Sequence, residues 1–200
     1  MRAIIPCAGF GTRMGMKPNQ SKELLKYQDE RLIERTVRLC RTFDFNPLVI
    51  TRKEKTDLIK WCEKNEVEYL VINPQREWPD TIIQSYMYWE EENILILPDT
   101  VFSTRCLPQF RSPNSIVLGL HWVADVSKWG YVDLLEVIEK PQDLKDQSGN
   151  AWGLISWKKD CGYEFFRLQS ERKPYELPLG TRFINLIGFK DVTREPGLLK

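Results

Sequence analysis

Apolar residues in the first half of the chain fall in short unbroken runs separated by helical patterns. Ala3-Ile4-Ile5, Leu48-Val49-Ile50 and Ile94-Leu95-Ile96-Leu97 each read as a strand with no polar face, and Val67–Ile72, where β-branched and aromatic residues concentrate, reads as a further strand. Between the first two, Leu32, Ile33, Thr36, Val37 and Cys40 recur at i, i+1, i+4, i+5 and i+8, which is one side of a helix. Leu58, Ile59 and Cys62 mark a second helix within 54–65. Asp80 is placed to cap a third, whose buried side is Ile82, Ile83, Tyr86 and Met87. Strands that are apolar throughout and alternate with helices predict a parallel sheet covered on both faces.

The rhythm changes near residue 115. Ser115–Val123, Tyr131–Glu139 and Trp152–Trp157 read as strands with less regular helix between them. A short helix is expected near 160–169 and a last strand near 182–189. Gln142–Asn150 is polar, ends in Ser148-Gly149-Asn150, and reads as a mobile loop. No internal repeat, low-complexity tract or linker interrupts the chain. One domain over 1–200 is expected, and 200 residues suffice for a substantial core.

Composition mainly excludes. A net charge of +1 lacks the basic excess of a dedicated nucleic-acid binder. No apolar run approaches a membrane span, and no charged-then-apolar signal precedes the first strand. Five cysteines, an odd number with no CxxC pair, read as free thiols of a cytoplasmic protein.

Chemistry concentrates after the first strand, in Pro6-Cys7-Ala8-Gly9-Phe10-Gly11-Thr12-Arg13. Glycines there permit positive φ and close backbone approach, and successive N–H groups can form an anion nest. Arg13 adds a planar fork for phosphate oxygens, and Lys22, nine residues on, adds a point charge. Two familiar phosphate loops are excluded by counting. The dinucleotide fingerprint GxGxxG needs glycine where Met14 stands. The P-loop needs a glycine before its lysine and a hydroxyl after it, where the chain reads Met16-Lys17-Pro18.

Gly9-Phe10-Gly11-Thr12-Arg13-Met14 followed by Lys22-Glu23-Leu24-Leu25 resembles the signature of sugar-1-phosphate nucleotidylyltransferases. Within that family it is most similar in look to bacterial UTP–glucose-1-phosphate uridylyltransferases. The resemblance implies an α/β, Rossmann-like nucleotide-diphospho-sugar transferase (GT-A-like) fold with a central mixed, mostly parallel sheet. Residues 1–112 would be its nucleotide-binding half and 113–200 its acceptor half. It also implies a Mg²⁺-dependent transfer from a nucleoside triphosphate (UTP, CTP or dTTP) to a sugar 1-phosphate, releasing pyrophosphate. Arg13 and Lys22 would be catalytic, and Cys7, Ala8, Gly9, Phe10, Gly11 and Thr12 would meet the nucleotide. The family holds the base with a glutamine and then a Gly-Thr, for which this chain offers Gln75 and Asp80-Thr81.

Three further blocks follow in family order. Asp99 ends the fourth apolar strand, where open α/β sheets bind ligands. From position alone it is as well an Asx turn as a Mg²⁺ ligand; the resemblance makes it a metal ligand. Gly130-Tyr131-Val132 and Glu139-Lys140-Pro141 look like the acceptor block. Lys140 would then pair with the acceptor phosphate, Glu139 with sugar hydroxyls, and Gly130 would leave room beside them. Phe189-Lys190-Asp191-Val192 resembles the closing segment and makes Asp191 the second metal ligand, although Thr193-Arg194 stand where the family has Gly-Thr. The lone histidine, His121, reads as structural. Trp122, Trp129, Trp152 and Trp157 read as core, with one of them free to stack on a sugar face. Two rivals stay open: a cytidylyltransferase acting on phosphocholine or another small phosphate, and an inactive nucleotide-binding regulatory paralogue. Self-association is also left open.

Overall fold

The computed structural model describes residues 1–11, 14–73, 78–133, 135–194 and 197–199. β1 (Arg2–Pro6) runs into the glycine-rich loop. A small hairpin of β2 (Lys26–Tyr27) and β3 (Glu30–Arg31) leads into α1 (Leu32–Thr42). β4 (Asn46–Thr51), α2 (Thr56–Lys64), β5 (Glu68–Val71), α3 (Trp78–Ile83) and β6 (Glu92–Ile96) follow. Beyond β7 (Thr100–Val101) lie β8 (Ile116–Val123), β9 (Gly130–Val132), β10 (Glu136–Glu139) and β11 (Gly149–Lys158). The last elements are α4 (Lys159–Ser170), β12 (Tyr175–Glu176), β13 (Arg182–Asn185) and β14 (Lys190–Asp191).

Strands β5, β4, β1 and β6 lie side by side and parallel. β11 then joins β6 antiparallel, pairing Leu154 with Ile96 and Lys158 with Glu92. This long strand is a junction. Its other edge carries β8 along its length, with β13 parallel beyond β8, and its start at Asn150 and Ala151 also pairs with β9. β9 continues to β10 and β12.

The unbroken apolar runs are explained by the period of two along a strand. Ala3 and Ile5 of β1, with Ile94 and Ile96 of β6, pack against Val37 and Cys40 of α1 and Leu58 and Cys62 of α2. Ile4 and Leu95 face the opposite layer, among Ile82 of α3 and Phe165 and Phe166 of α4. Each of the larger side chains contributes about 1.5–3 kcal/mol on burial, so both faces of the strands hold the sheet between its helical layers.

Four expectations need correction. Tyr131–Glu139 is not one strand but the hairpin of β9 and β10, because the Asp133 carboxylate accepts from the N–H groups of Leu135 and Glu136 and turns the chain. Asp80 lies inside the first turn of α3 and is tied to the Ser170 hydroxyl of α4, so it is not the cap. That helix stops at Ile83, leaving Met87 83% exposed, so Met87 is no part of the buried side. Gly149 and Asn150, expected in a mobile loop, already belong to β11.

Candidate active site

The parallel strands end at one edge of the sheet, where a cavity of about 550 Å³ opens. Its first wall comes from the loop after β1, with Ala8, Gly9 and Phe10, and from Lys22 and Asp99. Its second wall comes from Trp129, Gly130, Glu139 and Lys140, and Trp152 and Thr81 also line it.

Lys22 is bracketed by two anchored neighbours. The Ser21 hydroxyl donates to Asp57 Oδ1 at 2.5 Å, and Lys55 Nζ binds both oxygens of Glu23 at 2.8 and 3.0 Å. Glu23 and Lys55 are both sealed from solvent, and breaking such a buried pair by removing one partner typically costs about 3–5 kcal/mol. Lys22 Nζ itself contacts Asp99 Oδ2 directly. Burial works against the Lys22 ammonium, but Asp99 first, then Glu23 and Asp191, outweigh it and push its pKa above the ordinary lysine value. It stays a cation throughout the neutral range.

Asp99 and Asp191 are far apart in sequence and meet through a short antiparallel pairing. β7 and β14 place Thr100 opposite Asp191, and the Val192 N–H donates to the Asp99 carbonyl at 2.9 Å. Asp191 Oδ1 accepts from the Thr193 hydroxyl at 2.6 Å and from its N–H at 3.0 Å, while Arg194 Nε donates to Oδ2 at 2.9 Å. Arg194 in turn lies 4.0 Å over the Trp129 ring. The two carboxylates are hard oxygen donors facing one cavity, a set suited to Mg²⁺, which takes one or two carboxylates and fills its shell with waters and phosphate oxygens. Among the described residues no group of three or more metal-ligating side chains occurs, so further ligands would come from substrate or water.

On the second wall Glu139 is buried, with Trp78 Nε1 donating to its Oε1 at 2.9 Å and Lys140 Nζ 3.0 Å from the same oxygen. Lys140 adopts φ +49°, a conformation unusual for a side-chain-bearing residue, and its N–H is held by the Trp129 carbonyl at 2.8 Å. That bend turns the ammonium back toward the carboxylate before it.

Most expected site residues converge: Ala8, Gly9, Phe10, Lys22, Thr81, Asp99, Gly130, Glu139, Lys140 and Asp191 all line the cavity. Cys7 does not. It is fully buried in the core, its N–H is spent on the Ile50 carbonyl at 2.7 Å, and burial pushes its thiol pKa well up. Gly11 closes the turn with φ +66°, its carbonyl accepting from the Met14 and Met16 N–H groups. Thr12, Arg13 and Gln75 lie outside the described residues. His121 does not line the cavity: it is stacked on Phe189 at 3.9 Å and sits behind the wall residue Trp129, edge to face at 4.9 Å. The sequence reading missed Trp78 and Arg194. Trp78 belongs to no motif and comes in from α3, while Arg194 showed only as a departure from the closing segment and follows closely on β14.

A mixed sheet whose central strands are mostly parallel, with the loop, Lys22 and Asp99 at its edge, is the Rossmann-like nucleotide-diphospho-sugar transferase fold. Residues 3–110 match the MobA-like NTP transferase domain, and the chain belongs to that family. Its fold is similar to a Bacillus anthracis protein assigned as a glucose-1-phosphate thymidylyltransferase, with a TM-score of 0.70 and 17% identity over 96% of this chain and 90% of that one. It is similar also to a UDP-glucose pyrophosphorylase complexed with UDP-glucose, with a TM-score of 0.70 and 17% identity over 96% and 93% of the two chains. The inositol-1-phosphate CTP transferase of T. maritima has a TM-score of 0.67 and 14% identity, over 100% of this chain and 91% of that one. At these identities the likeness is one of fold. No curated protein matches the chain.

Proposed function

We propose that this protein transfers a nucleotidyl group from a nucleoside triphosphate to a sugar 1-phosphate. The observation that carries the reading is one cavity joining Lys22 and Asp99, beside the glycine-rich loop, to Glu139 and Lys140 on the opposite wall. An oxygen of the acceptor phosphate attacks the α-phosphorus, the bond from that phosphorus to the bridging oxygen breaks, and pyrophosphate leaves. The attacking oxygen is already ionised, so no general base is needed and catalysis is positioning plus charge neutralisation. Loop N–H groups and Arg13 hold the leaving phosphates, and Lys22 holds the α-phosphate. Lys140 pairs with the acceptor phosphate. Glu139, already oriented by Trp78, accepts from sugar hydroxyls. Asp99 and Asp191 would hold Mg²⁺, which when bound supplies positive charge against the phosphates.

The test is pyrophosphate release over a panel of triphosphates and phosphate acceptors, with and without Mg²⁺. Turnover restricted to sugar 1-phosphates supports the reading. Preference for phosphocholine would reassign the acceptor, and triphosphate binding without turnover on any acceptor would make the protein a nucleotide sensor.

A further inference from the structure

The turn between β4 and α2, with the first turn of that helix, touches the glycine-rich loop and the stretch after it at Phe10, Pro18, Ser21 and Glu23. Asp57 holds Ser21 and Lys55 holds Glu23, one on each side of Lys22. Arg52, the first residue after β4, reaches further along the loop. Its guanidinium carbon lies 4.0 Å from the centroid of the Phe10 ring, and its Nη2 donates to the Pro18 carbonyl at 2.7 Å. The Arg52 side chain is completely buried, yet among the described residues Nε has no hydrogen-bond partner and Nη1 comes only within 3.8 Å of the Glu54 carboxylate, too far for a hydrogen bond. A buried guanidinium with unused donors is costly for a residue whose only task is stability. What it does hold are two points of one loop, eight residues apart, on either side of the left-handed Gly11. Phe10 presents one face to Arg52 and lines the cavity, where it is 46% exposed.

We propose that Arg52 is a positioning residue for the nucleotide cradle: it pins the loop through the Phe10 ring and the Pro18 carbonyl, and so sets triphosphate affinity without touching the triphosphate. A loop with glycines at 9 and 11 loses much conformational entropy on ordering. A clamp that orders it beforehand removes that cost from binding. A flat guanidinium can stack and donate at once, which an ammonium cannot. This consequence for affinity rests on the function proposed above; the clamp itself does not.

The experiment compares Arg52→Met, Arg52→Lys and Phe10→Leu with the wild type in two measurements. Amide hydrogen exchange of the ligand-free proteins should rise at least tenfold over residues 8–20 in Arg52→Met and stay unchanged in β6 and β11. Triphosphate KM should rise about tenfold while kcat falls less than threefold, and Arg52→Lys should recover little of it. Phe10→Leu should loosen the same peptides, and keeps the test open if Arg52→Met does not fold. Unchanged exchange, full rescue by lysine, or exchange rising equally throughout the sheet would overturn the clamp. If the wild type binds no triphosphate, the functional reading fails while the exchange result still judges the clamp.

Discussion

The two walls of the cavity are built by opposite means. The first belongs to the parallel half, where helices alternate with strands and the strands they separate lie side by side. β1, β4 and β6 deliver the glycine-rich loop, Arg52 and Asp99 to one edge simply by ending there. The second wall is assembled from short antiparallel pieces around β11 and backed by aromatic rings. Trp157 meets Trp89 at 5.1 Å and Phe166 at 5.0 Å, and Trp152 meets Trp78 at 5.5 Å and Phe165 at 5.9 Å, mostly edge to face. Regular topology positions the first wall, and side-chain shape positions the second.

The comparison makes its largest demand on stability. Trp157→Ala should cost about 3–5 kcal/mol in urea unfolding, because it empties the aromatic layer under the second wall. A cost below about 1 kcal/mol would show that the rings merely fill space.

Lys22→Ala should lower kcat/KM about a hundredfold, roughly 3 kcal/mol, measured by pyrophosphate release. It removes the cation at the α-phosphate and leaves Asp99 without its contact. Activity within threefold of wild type would move the chemistry off the first wall.

Lys140→Ala should be milder and selective, with a loss in kcat/KM of about ten- to a hundredfold that appears in the acceptor's KM. Triphosphate affinity, titrated separately, should hardly change. The reverse pattern would mean that the two walls have exchanged roles.

The smallest effect concerns pH. Burial holds His121 down to about 4, with the Trp122 backbone opposing and Arg194 assisting, against an ordinary value of 6.5. Between those values the unfolded chain binds more protons, so the folded state gains stability as pH rises through the window and loses it as pH falls toward 4. After allowance for solvent screening the loss is on the order of 1–2 kcal/mol. His121→Gln should flatten the dependence of the urea midpoint on pH between 4 and 6.5. An unaltered slope would place the titrating group elsewhere.

The same division decides what the sequence made legible. Ala3–Ile5, the loop, Lys22 and Asp99 were readable because strand ends and loop chemistry are local properties. The hairpin at Asp133 was not, because Tyr131–Glu139 keeps a strand-like composition and the turn depends on one carboxylate capping two N–H groups. Glu139 and Lys140 were recognisable as a block, but Trp78, which orients Glu139 from 61 residues away, carried no signal. Asp191 was found by its neighbours in sequence, whereas its Arg194 partner stood out only as a departure from the family pattern.

The pairing of β7 with β14 also sets when the site can exist during synthesis. By the time residue 158 has been made, the strands of the parallel block, the β11 junction, the loop, Lys22, Asp99, Glu139 and Lys140 have all been synthesised, while α4, which covers one face of that sheet, has not. Thr100 and Val101 still lack their partner, because Asp191 and Lys190 have not yet been made. Until Asp191 is made, a nascent chain therefore carries only half of its carboxylate pair, and β7 lacks the strand that completes it.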